Sequence, residues 1–272
     1  SQQSKISQIT QIVCDSCVYI TLWIHPIYTI VIENPIIAKE YLDLPTSIIT
    51  DCDVPENVFD NVIKFEKPTN YTRKLYNNGN TGTHLTFKNN ARVMSYDLSP
   101  YNQTLMIDSD IVICDDVYKN CFKQDQPLLM YKDAYHLGQN LDYKQFNKIS
   151  DSSVDFYWAT CVYFVKCKQN KIFFDLLQHI EQEYKHYRML YQIVQKTYRN
   201  DFAFSIAVHI MNGHRKGNFA GPMPGKLFYT IDKDITHEID QDKLTFVIDN
   251  NPIKTKGMTV HAMNKYSLEE LL

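Results

Sequence analysis

The sequence predicts an α/β fold, a single domain in which a mostly parallel sheet is flanked by helices. In its first half, short apolar runs of strand length alternate with segments of helical period, the pattern of parallel strands joined by crossover helices. One of these runs, Gln103-Thr-Leu-Met-Ile107, leads straight into two acidic residues, Asp108 and Asp110. Ligands on such sheets gather beyond the carboxyl ends of the strands. The composition agrees: 44% of the 272 residues are hydrophobic and 22% charged, which suits a chain that buries a real core.

In chain order, Tyr28–Glu33 reads as the first strand, and Pro35–Leu42 as a helix opening on proline, where a missing N–H costs little. Thr46–Thr50 and Asn61–Phe65 read as further strands. Ala91–Leu98 is expected to be helical, with Val93, Tyr96 and Leu98 on its apolar side, and Gln103–Ile107 is the strand that carries the acids. In the second half Val162–Val165 is strand-like. A long helix is expected from Lys171 to about Gln195, with Phe174, Leu177, Ile180, Tyr184 and Tyr187 at three- and four-residue steps, a core-facing stripe. Asp201–Met211 is a second helix. The loop Asn212–Lys226 holds four of the eight glycines and reads as a lid. Strands are expected near Leu227–Ile231 and Leu244–Ile248. Residues 1–27 receive no assignment.

The formal charge of −3 gives no global basic excess of the kind that holds proteins on nucleic-acid phosphates. The seven cysteines have no framework spacing, which suits free thiols in a reducing compartment. Cys14 and Cys17 form a CxxC, but no second Cys or His pair follows, so they read as plain thiols rather than zinc ligands. The apolar stretch Ile12–Ile32 is interrupted by Asp15, His25 and Pro26, short of the roughly 20 clean residues of a membrane span, and it has no signal-peptide layout. A cytoplasmic protein without a membrane span is expected. Gly221-Pro-Met-Pro-Gly225-Lys226 has three residues between its glycines and Leu227 after its lysine, so it is not a Walker loop.

The chemistry is expected at Asp108-Ser109-Asp110. In a strand, side chains two apart share a face, and two carboxylates held together repel and raise each other's pKa. A divalent cation resolves that conflict, and hard carboxylate oxygens suit Mg²⁺ or Mn²⁺ bridging to substrate phosphates. The plain alternative is a pair of solvated acids at a strand end. His261, in Met258-Thr-Val-His-Ala-Met263, is a candidate third ligand, and an imidazole among carboxylates favours Mn²⁺. Its alternative is a satisfied core histidine.

The Asp-x-Asp segment resembles that of GT-A fold nucleotide-sugar glycosyltransferases, which have a Rossmann-like sheet, and within them the retaining type that includes glycogenin and the lipooligosaccharide galactosyltransferases. Other segments agree in order. Ala91-Arg92-Val93 resembles the family's Ala-Arg-Leu, Ser99-Pro100-Tyr101 the turn before the acidic strand, and Trp158-Ala159-Thr160 the position of its Asn-Ala-Gly. Asn200-Asp201 resembles the helix start beside the reacting sugar, and Val260-His261-Ala-Met-Asn-Lys265 the late metal-binding histidine with its lysine. The resemblance implies a metal site of Asp108, Asp110 and His261 with Mn²⁺ (or Mg²⁺). It implies donor contacts at Arg92, Ser109, Trp158, Ala159, Thr160 and Lys265, and catalysis at Asp201 with Asn200; Asp133, just past the strand-like Leu128–Tyr131, is a further candidate, for a sugar hydroxyl of the donor. It further implies a nucleotide-sugar donor, foremost a UDP-sugar, and retention at the anomeric carbon. Residues 28–150 would form the donor-binding half and 151–272 the acceptor and catalytic half of one domain. The acceptor is open among a glycan, a lipid, a protein or a modified DNA base. The sequence departs from the family at Trp158 and Thr160, at Asp201 where the family has Gln, and in the short spacing from His261 to Lys265. Two other functions compete: a metal-dependent nucleotidyltransferase, against which stands the lack of an early glycine-rich phosphate loop, and a non-catalytic nucleotide-sugar-binding module.

Overall fold

The computed structural model describes residues 9–13, 39–50, 53–54, 57–65, 72–77, 81–86, 89–139, 147–150 and 154–271. The strand expected at Tyr28–Glu33 and the Cys14/Cys17 pair lie outside these. The first described strand is β1 (Ile9–Val13), inside the segment to which the sequence assigned nothing. It is followed by β2 (Thr46–Thr50) and β3 (Asn61–Lys64), by a hairpin of β4 (Thr72–Asn77) and β5 (Thr81–Thr86), and by β6 (Gln103–Asp108) and β7 (Ile111–Val112). Next come β8 (Leu128–Tyr131), β9 (Ala134–His136), β10 (Trp158–Val165), β11 (Gly221–Pro222) and β12 (Leu227–Thr230). The last strands are β13 (Ile235–Asp240), β14 (Lys243–Ile248), β15 (Asn251–Lys256) and β16 (Val260–Ala262).

The central sheet has the order β11-β8-β10-β6-β1-β2-β3. Its pairings β1–β2, β1–β6, β2–β3 and β11–β8 are parallel, while β10 runs antiparallel to both β6 and β8. This is the predicted α/β class with a mostly parallel sheet. The strands at its middle are buried along nearly their whole length, β6 from Thr104 to Asp108 and β10 from Trp158 to Phe164. Such continuous burial is what a sheet covered on both faces requires.

Helix α1 (Ser95–Leu98) follows a 3₁₀ turn at Asn89–Met94, in place of the single helix expected from Ala91. Helix α2 (Lys168–Gln182) buries Phe173, Phe174, Leu177 and Ile180, so the predicted stripe is core. The expected helix to Gln195 is broken at Glu183, resumes as α3 (Tyr184–Leu190) and stops there. Gln192 takes a left-handed φ of 55°. Its N–H bonds the carbonyl of Met189 and that of Ile193 bonds Arg188, a Schellman stop, which folds the buried Tyr191 and Ile193 inward. Helix α4 (Asn200–Met211) is apolar nearly all round, with Phe202 through Val208 buried, and packs on α2 and β10.

A second sheet, β7-β16-β12-β9, continues from the first, and a β13-β14-β15 meander and a short α5 (Lys265–Glu269) complete the described chain. Two connections cross from the central sheet to the second. Ser109–Asp110 joins β6 to β7, and Lys132–Asp133 joins β8 to β9. The loop Asn212–Lys226, read as a lid, is tied down over its second half. Gly221–Pro222 pairs with β8, Tyr131 donates to the Pro224 carbonyl at 2.8 Å, and Gln126 bonds the carbonyls of Asn218 and Phe219.

Candidate metal centre

The two acids do not sit within one strand. Asp108 ends β6, and Ser109–Asp110 is the turn that carries the chain into β7. The carboxylates therefore meet because the chain changes sheets between them, not through strand alternation. They are not solvated acids either: Asp108 is 7% exposed and Asp110 4%. Strand β16 pairs antiparallel with β7 through His261 and Ile111, and the Ala262 N–H bonds the Asp110 carbonyl at 2.9 Å. This register sets His261 Nε2 3.1 Å from Asp110 Oδ1. Asp108, Asp110 and His261 are all buried, and each offers one ligand atom within 4.8 Å of the others.

Each carboxylate also faces a cation. Arg92, 1% exposed, comes from the 3₁₀ turn before α1; its guanidinium donates through Nη2 to Asp108 Oδ1 and through Nη1 to the Ala159 carbonyl. Lys265, one turn after His261 and 5% exposed, puts Nζ 3.5 Å from Asp110 Oδ2. Two buried acids and two buried cations nearly cancel, which makes the burial of all four tolerable. The short His261–Lys265 spacing thus delivers the lysine to Asp110.

Asp201 lies in the first turn of α4, where its charge suits the positive end of the helix dipole. Its carboxylate does not cap its own helix. Oδ1 accepts the Ala159 N–H at 2.9 Å and Oδ2 accepts from Arg199 at 2.8 Å. Ala159 is thereby bonded on both sides of its residue, N–H to Asp201 and C=O to Arg92. The cause lies in β10. Its register against β8 shifts between Trp158 and Val162, and its pairing with β6 begins only at Cys161. A bulge releases backbone groups from the ladder, and buried backbone groups need partners.

The remaining expected site residues lie as follows. Ser109, Ala159 and Thr160 are buried. Buried Trp158 packs edge-on to Phe156 at 5.3 Å and against Tyr229 at 5.6 Å. Asn200 is buried and accepts from Tyr198 at 3.0 Å. Asp133 is half-buried in the second inter-sheet crossing. Sequence reasoning missed Arg199, the partner of Asp201, although it directly precedes Asn200. It also missed Tyr229, which shares a register row with His261 and His136, and the buried pair of His136 Nε2 with Asp234 at 2.7 Å. These depend on strand register, which no local motif records. Burial holds the Cys161 thiol, paired opposite Ile107, well above its ordinary value. It stays protonated at neutral pH and is no competing metal ligand.

The residues present fit a divalent cation. Two carboxylates and an imidazole form a mixed oxygen and nitrogen set, and among the described residues Nδ1 of buried His261 has no hydrogen-bond partner.

No family model matches the chain, and no curated protein matches its sequence. Among solved structures, the glycosyltransferase GlyE of Streptococcus pneumoniae TIGR4 aligns over 75% of this chain and 43% of its own, at 12% identity and a TM-score of 0.39. This chain therefore corresponds to less than half of that structure. An active-site mutant of LgtC aligns over 73% of this chain and 70% of its own, at 9% identity and a TM-score of 0.45. The galactosyltransferase LgtC with donor and acceptor sugar analogues covers the same shares at 11% identity and a TM-score of 0.41.

Proposed function

We propose that the chain is a divalent-metal-dependent glycosyltransferase of the GT-A type. It would transfer a sugar from a nucleoside-diphosphate sugar, foremost a UDP-sugar, with retention at the anomeric carbon. The observation that carries this reading is the convergence of Asp108, Asp110 and His261 in one buried cluster, from distant parts of the chain, with Arg92 and Lys265 opposite the acids. With its own cations the cluster is nearly neutral. A bound Mn²⁺ or Mg²⁺ adds two positive charges, the complement of a diphosphate, and supplies Lewis-acid stabilisation to a departing nucleoside diphosphate. Asp108, Asp110 and His261 would hold it.

In this reading Lys265 turns toward the diphosphate when donor binds, and Arg92 acts through Asp108, holding one oxygen so that the other is aimed. Asp201, oriented by the Ala159 N–H and Arg199, would face the reacting sugar beside Asn200, while Ser109, Asp133, Trp158 and Thr160 line the donor. Residues 28–150 would serve mainly the donor and 151–272 the acceptor.

The test is to incubate the chain with Mn²⁺ and a panel of nucleotide sugars and to quantify free nucleoside diphosphate. Slow release, abolished by chelator and by Asp110→Ala, supports the transferase. Release in excess chelator removes the metal, consumption of pyrophosphate turns the reading to a nucleotidyltransferase, and binding without turnover leaves only a binding module.

A further inference from the structure

Charge is unevenly spread along this chain. From residue 184 to residue 231 there are seven lysines and arginines and one acid, Asp201, in a protein whose total is −3. Asp201 is already paired with Arg199. Part of this basic stretch is exposed, and two features meet there.

The first is apolar. Met189 is 64% exposed, Leu190 60% and Val194 89%. They project from the end of α3 and the turn after it, where Gln192 reverses the chain. Lys185 and Lys196 flank them, both exposed, and neither pairs with a carboxylate among the described residues. Single exposed apolar residues mean little, but here the three most exposed large apolar side chains among the described residues fall within one helix end and the turn after it.

The second is a cavity of about 80 Å³, the volume of a small anionic group, lined by Tyr157, His209, Asn212, His214, Arg215 and Lys216 among others. It lies at the C-terminal end of α4, which closes in a Schellman turn at Gly213, φ 69°. Gly217 shapes its rim, because a Cβ there would lie 2.1 Å from Asn212 Oδ1. Burial, with His214 beside it, holds His209 below the usual imidazole range, so Arg215 and Lys216 carry the charge at neutral pH. Asp155, the one acid on the lining, is engaged by Lys132 and Lys148. The helix end and the cavity are contiguous: Tyr191 packs edge-on to His209 at 5.9 Å between them.

We propose that this surface docks on an anionic lipid bilayer. Met189, Leu190 and Val194 enter the acyl boundary, Lys185 and Lys196 stay at the headgroups, and a lipid phosphate occupies the cavity beside Arg215 and Lys216. Exposed apolar side chains flanked by exposed lysines are the makeup of a peripheral membrane contact. An acidic protein partner would use the cations but has less need of a lone protruding Val194. The cavity runs along α4 from Ser205, whose hydroxyl donates to the Asp201 carbonyl at 2.6 Å, to the residues just past the helix's C-terminal end. The proposal does not rest on the glycosyltransferase reading.

The test is co-sedimentation with vesicles, without metal or donor. The chain should pellet with phosphatidylcholine containing about one third phosphatidylglycerol, not with phosphatidylcholine alone, and pelleting should weaken as salt rises. Arg215→Ala with Lys216→Ala should lower vesicle affinity about tenfold or more, and Met189→Ser with Val194→Ser about tenfold. All four side chains are on the surface, and matched thermal melts establish that the variants fold. Absence of pelleting with anionic vesicles at low salt overturns the proposal whatever the variants do. An apolar variant that pellets like the unaltered chain also overturns it and returns the surface to a protein partner.

Discussion

The acidic groups at the two ends of the candidate site are held in opposite ways. Asp108 and Asp110 lie where the chain passes from one sheet to the next, each against a buried cation, with His261 and its unpartnered Nδ1 alongside. Asp201 has both oxygens engaged, one by a backbone N–H and one by Arg199. The first end offers a ligand atom that the protein leaves open, and the second is held at both oxygens by the protein's own donors. A carboxylate held at both oxygens keeps a fixed orientation, which suits a group that must meet a sugar in one geometry. The near-neutral, ligand-ready end suits a metal that arrives with its anionic partner.

Removing the link between the two ends should have the largest effect. Arg92→Met leaves Asp108 as an uncompensated buried charge and strips the Ala159 carbonyl of its partner. A stability loss of about 3–5 kcal/mol is expected, read by chemical denaturation. A loss under about 1 kcal/mol would mean that the Arg92 bonds are not the support described, and would return Arg92 to a direct donor contact. Next comes the Asp201 end. Asp201→Asn keeps an oxygen for the Ala159 N–H but loses the charge facing Arg199. Stability should move by about 1 kcal/mol or less, whereas transfer should fall about a hundredfold if the carboxylate serves the reacting sugar. Proton NMR of fresh product belongs to the same experiment. A near-normal rate reduces Asp201 to a scaffold for β10, and an inverted anomer removes the retaining assignment. The smallest effect is expected at the ligand-ready end. Lys265→Met should weaken UDP binding with Mn²⁺ about tenfold by calorimetry, the scale of one charge-assisted hydrogen bond, while Mn²⁺ alone binds at least as well because Asp110 loses a competing cation. Weaker binding of Mn²⁺ alone would show that Lys265 organises the metal ligands rather than the diphosphate.

What the sequence revealed was local. The acids two residues apart after an apolar run, the stripe on α2 and the apolar α4 all follow from short-range pattern, and the alternation of elements carried the α/β class. What it concealed depends on register between distant strands. Nothing near Arg92 says that its guanidinium crosses to residue 159, because that requires the β10 bulge. The first strand was assigned to Tyr28–Glu33, whereas Ile9–Val13 holds the place between β2 and β6; a five-residue run at the chain start gives little periodicity to weigh. The β14–β15 hairpin had a readable signal that went unread. Asp249 and Asn250 both adopt left-handed φ, 49° and 66°, and these residue types tolerate the two-residue turn that demands it.

Ala159 carries one further consequence. Its contribution is made by its peptide groups alone, so replacing its methyl, or scanning the site one side chain at a time, leaves untouched the position where the metal end and the Asp201 end are joined. Sequence comparison would be equally blind to it, because any small residue at 159 presents the same N–H and C=O. Only a change in the backbone itself exposes the joint. Ala159→Pro deletes the N–H donor while leaving the carbonyl to Arg92, and so uncouples the two ends in a way that no truncation to alanine can.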